Sequence, residues 1–262
     1  MSLAQLTCLG TCDGLPDGER GHSAYLYRLS GTVLLVDSGE PVARQLRARN
    51  IHPDEIDAVW LTHLHMDHIG GLFMLIQGFW LDGRKKPLPI HLPEEGVLVI
   101  QAMLRASYLF DQLLPFKISF IPHSAGQPVQ IGLTKITPLL NSHLDQLRQS
   151  FGGQPGQRFE SFSFRIETGT HTIAHTGDVG SLQDLDPLLD RDLDLLTCEL
   201  SHLAPAALFE KISRANVRRA VFVHIGRALR KNLDELRHQA GAALNSVPHD
   251  FAADGDEYHL TP

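Results

Sequence analysis

Short apolar runs alternate with polar turns along most of the chain, and longer stretches with a helical period lie between them. Residues 23–29 and 32–36 are rich in aromatic and β-branched side chains and flank Ser30-Gly31, which predicts a β-hairpin. Residues 6–10 read as a strand before it, and residues 11–21, rich in Gly, Pro and Asp, as a loop. Residues 41–49 begin with a proline suited to a first helical turn. Residues 57–61 form the next strand, and a helix starts at Ile69. Residues 89–92 are a strand. Residues 94–110 place Val97, Ile100, Met103 and Leu104 on one helical face.

Residues 116–121, 129–131 and 134–140 continue as strands, and 162–167 with 170–174 form a second hairpin. Helices are expected at 182–189, 204–214 and 232–244, and strands at 193–196, 220–223 and 258–260. Residues 149–157 carry Gly152-Gly153 and Pro155-Gly156 and read as a mobile loop. The two halves repeat one order: hairpin, acidic loop, helix, then a strand ending at a histidine. Residues 33–37 correspond to 172–178, and 60–63 to 222–224. The expected fold is α/β, an αββα sandwich of two mixed sheets with helices on the outer faces. No linker interrupts it, so residues 1–262 are read as one domain, with a site at the edge where the halves meet.

Composition adds limits. The formal net charge of −7 argues against a general nucleic-acid binder, though not against a small phosphorylated substrate at a metal-bearing site. The three cysteines (Cys8, Cys12 and Cys198) do not make a disulfide framework and read as reduced thiols. The N-terminus lacks a signal-peptide pattern, and no apolar run reaches membrane-span length. A cytoplasmic location follows as the default, without a membrane partner. A homodimer is left open.

The chemistry concentrates in Thr62-His63-Leu64-His65-Met66-Asp67-His68-Ile69-Gly70-Gly71-Leu72, between a strand and a helix. Neutral imidazoles with a carboxylate suit a borderline divalent cation, zinc first, with manganese and iron also fitting. His63 and His65 are placed to flank one ion; Asp67 and His68 project differently and would more easily hold a second beside it. His143, Asp178 and His224 follow later strands, in Asn-Ser-His, Thr-Gly-Asp and Val-His-Ile. Strand ends of this kind gather ligands in open sheets. His175, just before the Asp178 turn, is read as structural.

This pattern resembles the metallo-β-lactamase-fold hydrolases, over nearly the whole chain. Within them it is most similar to the ribonuclease Z-like and cyclic-phosphate phosphodiesterase branch. The resemblance implies that His63, His65 and His143 bind one metal ion, that Asp67, His68 and His224 bind a second, and that Asp178 bridges them. It also implies that His202, which is not a ligand, acts as general acid, with Glu199 orienting it. Asp67 is a further catalytic candidate, orienting the nucleophile, and Asp37 and Thr62 are expected to brace the ligands. The chain departs from ribonuclease Z in two ways. The interval from His143 to Asp178 is too short for a tRNA-gripping arm, and the His-Glu-Ala-Thr motif is reduced to Cys198-Glu199-Leu200. The expectation is therefore a dinuclear phosphodiesterase for a small or cyclic phosphodiester, with tRNA an unlikely partner. The alternatives are a lactone, thioester or β-lactam hydrolase, a tRNA 3′-processing nuclease, or a binding module without turnover.

Overall fold

The computed structural model describes residues 4–169 and 171–260. Thr170, the first residue of one expected strand, lies outside the described residues. Among the described residues fourteen strands run in chain order: β1 Ala4–Gly10, β2 Ala24–Leu29, β3 Thr32–Val36, β4 Ala58–Trp60, β5 Leu88–Leu92, β6 Ile118–Pro122, β7 Val129–Ile131, β8 Thr134–Asn141, β9 Ser161–Thr168, β10 His171–His175, β11 Leu195–Leu200, β12 Ala220–Ile225, β13 His249–Phe251 and β14 Glu257–Leu260. They build two seven-stranded sheets, ordered β14-β1-β2-β3-β4-β5-β6 and β13-β12-β11-β10-β9-β8-β7. Each sheet is antiparallel in one half and parallel in the other.

The period of two in the hairpin strands explains the layering. Tyr25, Tyr27, Leu34 and Val36 point inward to meet Phe162, Phe164, Ile166 and Ile173 of the opposite sheet. Their neighbours Leu26 and Leu35 point outward and pack beneath the helices α1 Val42–Ala48, α3 Leu72–Leu81 and α4 Gly96–Ala106. Across the molecule Leu196, Cys198 and Phe222 pack against α6 Pro205–Ser213 and α8 Leu233–Ala243. Both sheets are therefore covered on both faces, the αββα arrangement. The parallel strands read as nearly continuous apolar runs for that reason.

The internal repeat is real, but one correspondence shifts. Residues 33–37 and 172–178 do match, since β3 and β10 both join the antiparallel half of a sheet to its parallel half. The parallel neighbour of β10 is β11, however, so β4 corresponds to β11 and not to β12. Other differences have plain causes. α5, Asp145–Phe151, takes the start of the expected loop at 149–157; it buries no residue, so it leaves no apolar period to read. The helix expected at 182–189 is a short 3₁₀ turn, Leu182–Leu185. β13 is a three-residue, half-buried edge strand and carries no pattern of its own.

Two short helices follow ligand-bearing turns: α2, Met66–Ile69, and α7, Arg227–Arg230. α2 sits tightly against the loop after β3. A Cβ at Gly39 would lie 2.3 Å from the Asp67 carbonyl oxygen. Ser38 N–H donates to His68 O, and Gly71 N–H to Ser38 O. Only a glycine lets the two backbones approach this closely. Gly39→Ala should therefore cost about 1–3 kcal/mol by overpacking, read as a lower midpoint in denaturant unfolding, with metal affinity falling in the same protein.

Candidate metal centre

The residues singled out from sequence converge at one edge of the sandwich. His63 leaves the end of β4, His65 caps α2, and Asp67 and His68 lie within α2. His143 follows β8, Asp178 follows β10, and His224 lies near the end of β12. Ligand atoms of His63, His65 and His143 form one group, and those of Asp67, His68, Asp178 and His224 a second, each within 4.8 Å. In the first, His65 Nδ1 is 3.0 Å from His63 Nε2 and 3.3 Å from His143 Nε2. In the second, His68 Nε2 is 3.4 Å from Asp67 Oδ2 and 3.3 Å from Asp178 Oδ1, and His224 Nε2 is 3.4 Å from Asp178 Oδ2. Asp178 Oδ2 also lies 4.0 Å from His63 Nε2 and 3.8 Å from His143 Nε2, so one carboxylate faces both groups.

The donor set fits a cation. His68 Nε2 and Asp178 Oδ1 are buried and face each other at 3.3 Å without a well-directed hydrogen bond, a costly state that a metal ion would relieve. Protonation suits ligation as well. Burial, reinforced by the positive His68 nearby, drives the His63 pKa far down; burial also brings His143 to about 4. Both rings are neutral at pH 7, as ligands must be. Burial alone would raise Asp67, but the hydrogen bond and charge of His68 outweigh it and bring it to about 2. Burial is likewise outweighed at Asp178, where His224 and His68 hold the carboxyl well below its ordinary range.

A second layer of side chains aims the rings. Asp37 is fully buried and accepts from Thr62 N–H at 2.8 Å, from Thr62 Oγ1, and from His68 Nδ1 at 2.7 Å. Because Thr62 Oγ1 donates to Asp37, it accepts from His63 Nδ1 at 3.0 Å. Both rings therefore carry their proton on Nδ1 and present Nε2 to the centre. Asp37 and Thr62 occupy the bracing positions the sequence suggested. Asp184 does a similar task that sequence reasoning missed. Its carboxylate accepts from Ser142 N–H and Oγ and from the N–H groups of Gly180 and Ser181, tying the His143 turn to the Asp178 turn. Its Ser181-x-x-Asp184 spacing marks a helix start but not the contact to the His143 turn.

His202 stands beside this cluster with its side chain 36% exposed. Its Nδ1 is 3.1 Å from Glu199 Oε1 and 3.8 Å from Asp178 Oδ2, and its ring meets that of His143 edge to face at 4.7 Å. Glu199 is buried and also accepts from the N–H groups of Ser201, His202 and Val179. Burial would lower the His202 pKa, but the hydrogen bond and charge of Glu199 dominate and raise it to about 9. His175 is buried, with Nδ1 2.9 Å from Tyr27 Oη, in keeping with a structural place. Cys8, Cys12 and Cys198 are buried free thiols.

The two-sheet αββα scaffold thus carries a cluster of His and Asp donors able to hold a metal ion at one edge. The sequence profile described as the metallo-β-lactamase superfamily matches residues 17–238, and the chain belongs to that family. A divalent metal, typically zinc, goes with that family and with the His/Asp cluster. Among curated relatives, a protein named Ribonuclease Z from Methanococcus maripaludis is 38% identical over 104 residues, 40% of this chain and 34% of that protein. The chain thus matches about a third of that relative's length. The metallo-β-lactamase fold protein YhfI from Bacillus subtilis superposes with a TM-score of 0.76 at 22% identity, over 99% of this chain and all of that one. Human tRNase Z, short form, superposes with a TM-score of 0.73 at 22% identity, over 98% of this chain and 100% of that one.

These findings correct one expectation. Relatives named Ribonuclease Z overturn the expectation that tRNA is an unlikely partner. That expectation leaned on net charge and on the short interval after His143. Net charge averages over the whole surface, whereas cations at the site set the local field. Among the described residues no helix is long and apolar enough to cross a membrane.

Asp37→Asn should leave the fold intact and weaken metal binding about 10–100-fold, the usual effect of removing a carboxylate behind a ligating histidine. Zinc titration against a competing chelator measures this.

Proposed function

We propose that the chain is a dinuclear metal-dependent phosphodiesterase whose general acid is His202. His63, His65 and His143 hold one ion, Asp67, His68 and His224 the other, and Asp178 bridges them. Bound divalent ions, zinc first with manganese or iron as substitutes, supply an ionised water at neutral pH and positive charge for the phosphoryl oxygens. Asp67 lies beside His68 and His224 and orients the nucleophile as well as binding metal.

The observation that carries the reading is the Glu199–His202 pair beside Asp178. Glu199 takes the Nδ1 hydrogen bond, which leaves Nε2 to carry the transferable proton. A buried carboxylate behind a part-exposed imidazole keeps that imidazole protonated until the alkoxide departs. A thiolate departs without a proton, so the pair disfavours thioesters, whereas an alkoxide leaving phosphorus needs the acid. The preferred substrate is a small or cyclic phosphodiester. The relatives named Ribonuclease Z favour a second reading, in which the phosphodiester belongs to RNA.

Two measurements test the proposal. Elemental analysis of protein refilled with Zn²⁺ or Mn²⁺ should approach two ions per chain; a value near zero sinks the hydrolase reading. His202→Ala should keep both ions and lose about 10²–10⁴ in rate on a phosphodiester with a poor alkoxide leaving group. With a nitrophenolate leaving group the loss should be much smaller, because that anion departs without a proton. Equal losses on both substrates would assign His202 to phosphate binding. A panel of a cyclic nucleotide, a linear dinucleotide and a tRNA precursor separates the two substrate readings.

A further inference from the structure

The proposed ligand rings are not braced alike. His63 and His68 both rest on Asp37, one through Thr62 Oγ1 and the other directly, so a single buried carboxylate stands behind one ring in each group. His224 is separate. Its Nδ1 lies 3.0 Å from Ser23 Oγ, and both residues are buried. The His224 backbone also has φ of +48°, a left-handed conformation that a histidine adopts only when its surroundings hold it there.

Ser23 is well placed to do the holding, because its own backbone is clamped. It immediately precedes the β2 strand, beside a register shift in the β1–β2 pairing. Its carbonyl accepts from Gly39 N–H at 2.8 Å. The preceding residue, His22, is wedged between two glycines. A Cβ at Gly10 would lie 1.9 Å from His22 O, and one at Gly39 would lie 2.6 Å from His22 Cβ. The hydroxyl therefore projects from a rigid point on one sheet to a ring carried by the other. For His224 to ligate through Nε2, its proton must sit on Nδ1, and Ser23 Oγ is the acceptor for it. Ser23 also lines a small buried cleft with His175, Asp178 and Tyr25, whose hydroxyl makes no hydrogen bond.

We infer that Ser23 is a positioning residue for the second metal ion alone, setting the tautomer and aim of His224 without touching the first group. The inference rests on the two-ion reading above. Its test is a stepwise Co²⁺ titration against a chelator, followed by the visible absorption bands of the bound ion. It uses the full chain in three forms: wild type, Ser23→Ala and Ser23→Thr. In wild type two ions should bind. In Ser23→Ala the second step should weaken about 10–100-fold while the first is unchanged. Ser23→Thr, which keeps the hydroxyl, should restore the second step. The metal-free proteins should melt together, which separates positioning from a loss of general stability. Two unchanged steps, or equal weakening of both, would overturn the role of Ser23. A single step already present in wild type would instead overturn the two-ion reading, and this inference with it.

Discussion

The edge of this sandwich is organised by one electrostatic constraint. The Asp178 carboxylate is nearly dry, yet ring nitrogens of His63, His68, His143, His202 and His224 lie within 4.0 Å of it. Such a convergence of unshared lone pairs and one negative charge is unfavourable in a low-dielectric interior unless positive charge enters. Without a cation, His68 is the group that responds. Burial works against its protonation, but Asp178 and Asp37 prevail and raise its pKa well above the ordinary value. A proton on His68 and a metal ion thus compete for one place. The other groups are already set for the metal, with neutral imidazoles at His63 and His143 and ionised carboxylates at Asp67 and Asp178.

The hydrogen bonds behind the rings have the same logic. A histidine that presents one nitrogen to a cation needs an acceptor on the other, and the chain supplies acceptors of different strength. Asp37 is a carboxyl acceptor deep below the metal loop, where burial raises its pKa against the opposing pull of His68. Ser23 is a neutral one, supplied from the opposite sheet. Glu199 is again a carboxylate, but the ring it faces is partly exposed, and that ring is the one proposed to move a proton. The chemistry available to each histidine follows from what stands behind it more than from its distance to the centre.

Most of this was legible from sequence where local chemistry and periodicity agree. The dense His/Asp run after an apolar strand marked its loop outright. The first hairpin announced itself by two apolar, β-branched runs on either side of Ser30-Gly31, apolar throughout because one face lies inside the sandwich and one beneath helices. The distant residues His143, Asp178 and His224 were found because they too follow apolar strands. What escaped lacks such a signal. α5 buries nothing, so its sequence shows no stripe. Ser23 reaches His224, and Asp184 reaches the Ser142 turn, across long sequence separations, and a lone serine or aspartate carries no mark of such a partner. The assignment of 60–63 to 222–224 failed because both segments end in a histidine, and strand order is fixed by pairing rather than by that ending.

The order of strands has a consequence for synthesis. The first strand of the chain pairs with the last, Ala4 opposite Leu260, and His224 emerges long after His63. While the chain is still on the ribosome, β1 has β2 on one side and bare backbone on the other. The Asp67–His68 side of the centre has no His224 until β12 has been made. A chain interrupted before β12 therefore lacks the His224 donor, and one interrupted between β12 and β14 carries every donor of the cluster while one edge of β1 stays unpaired.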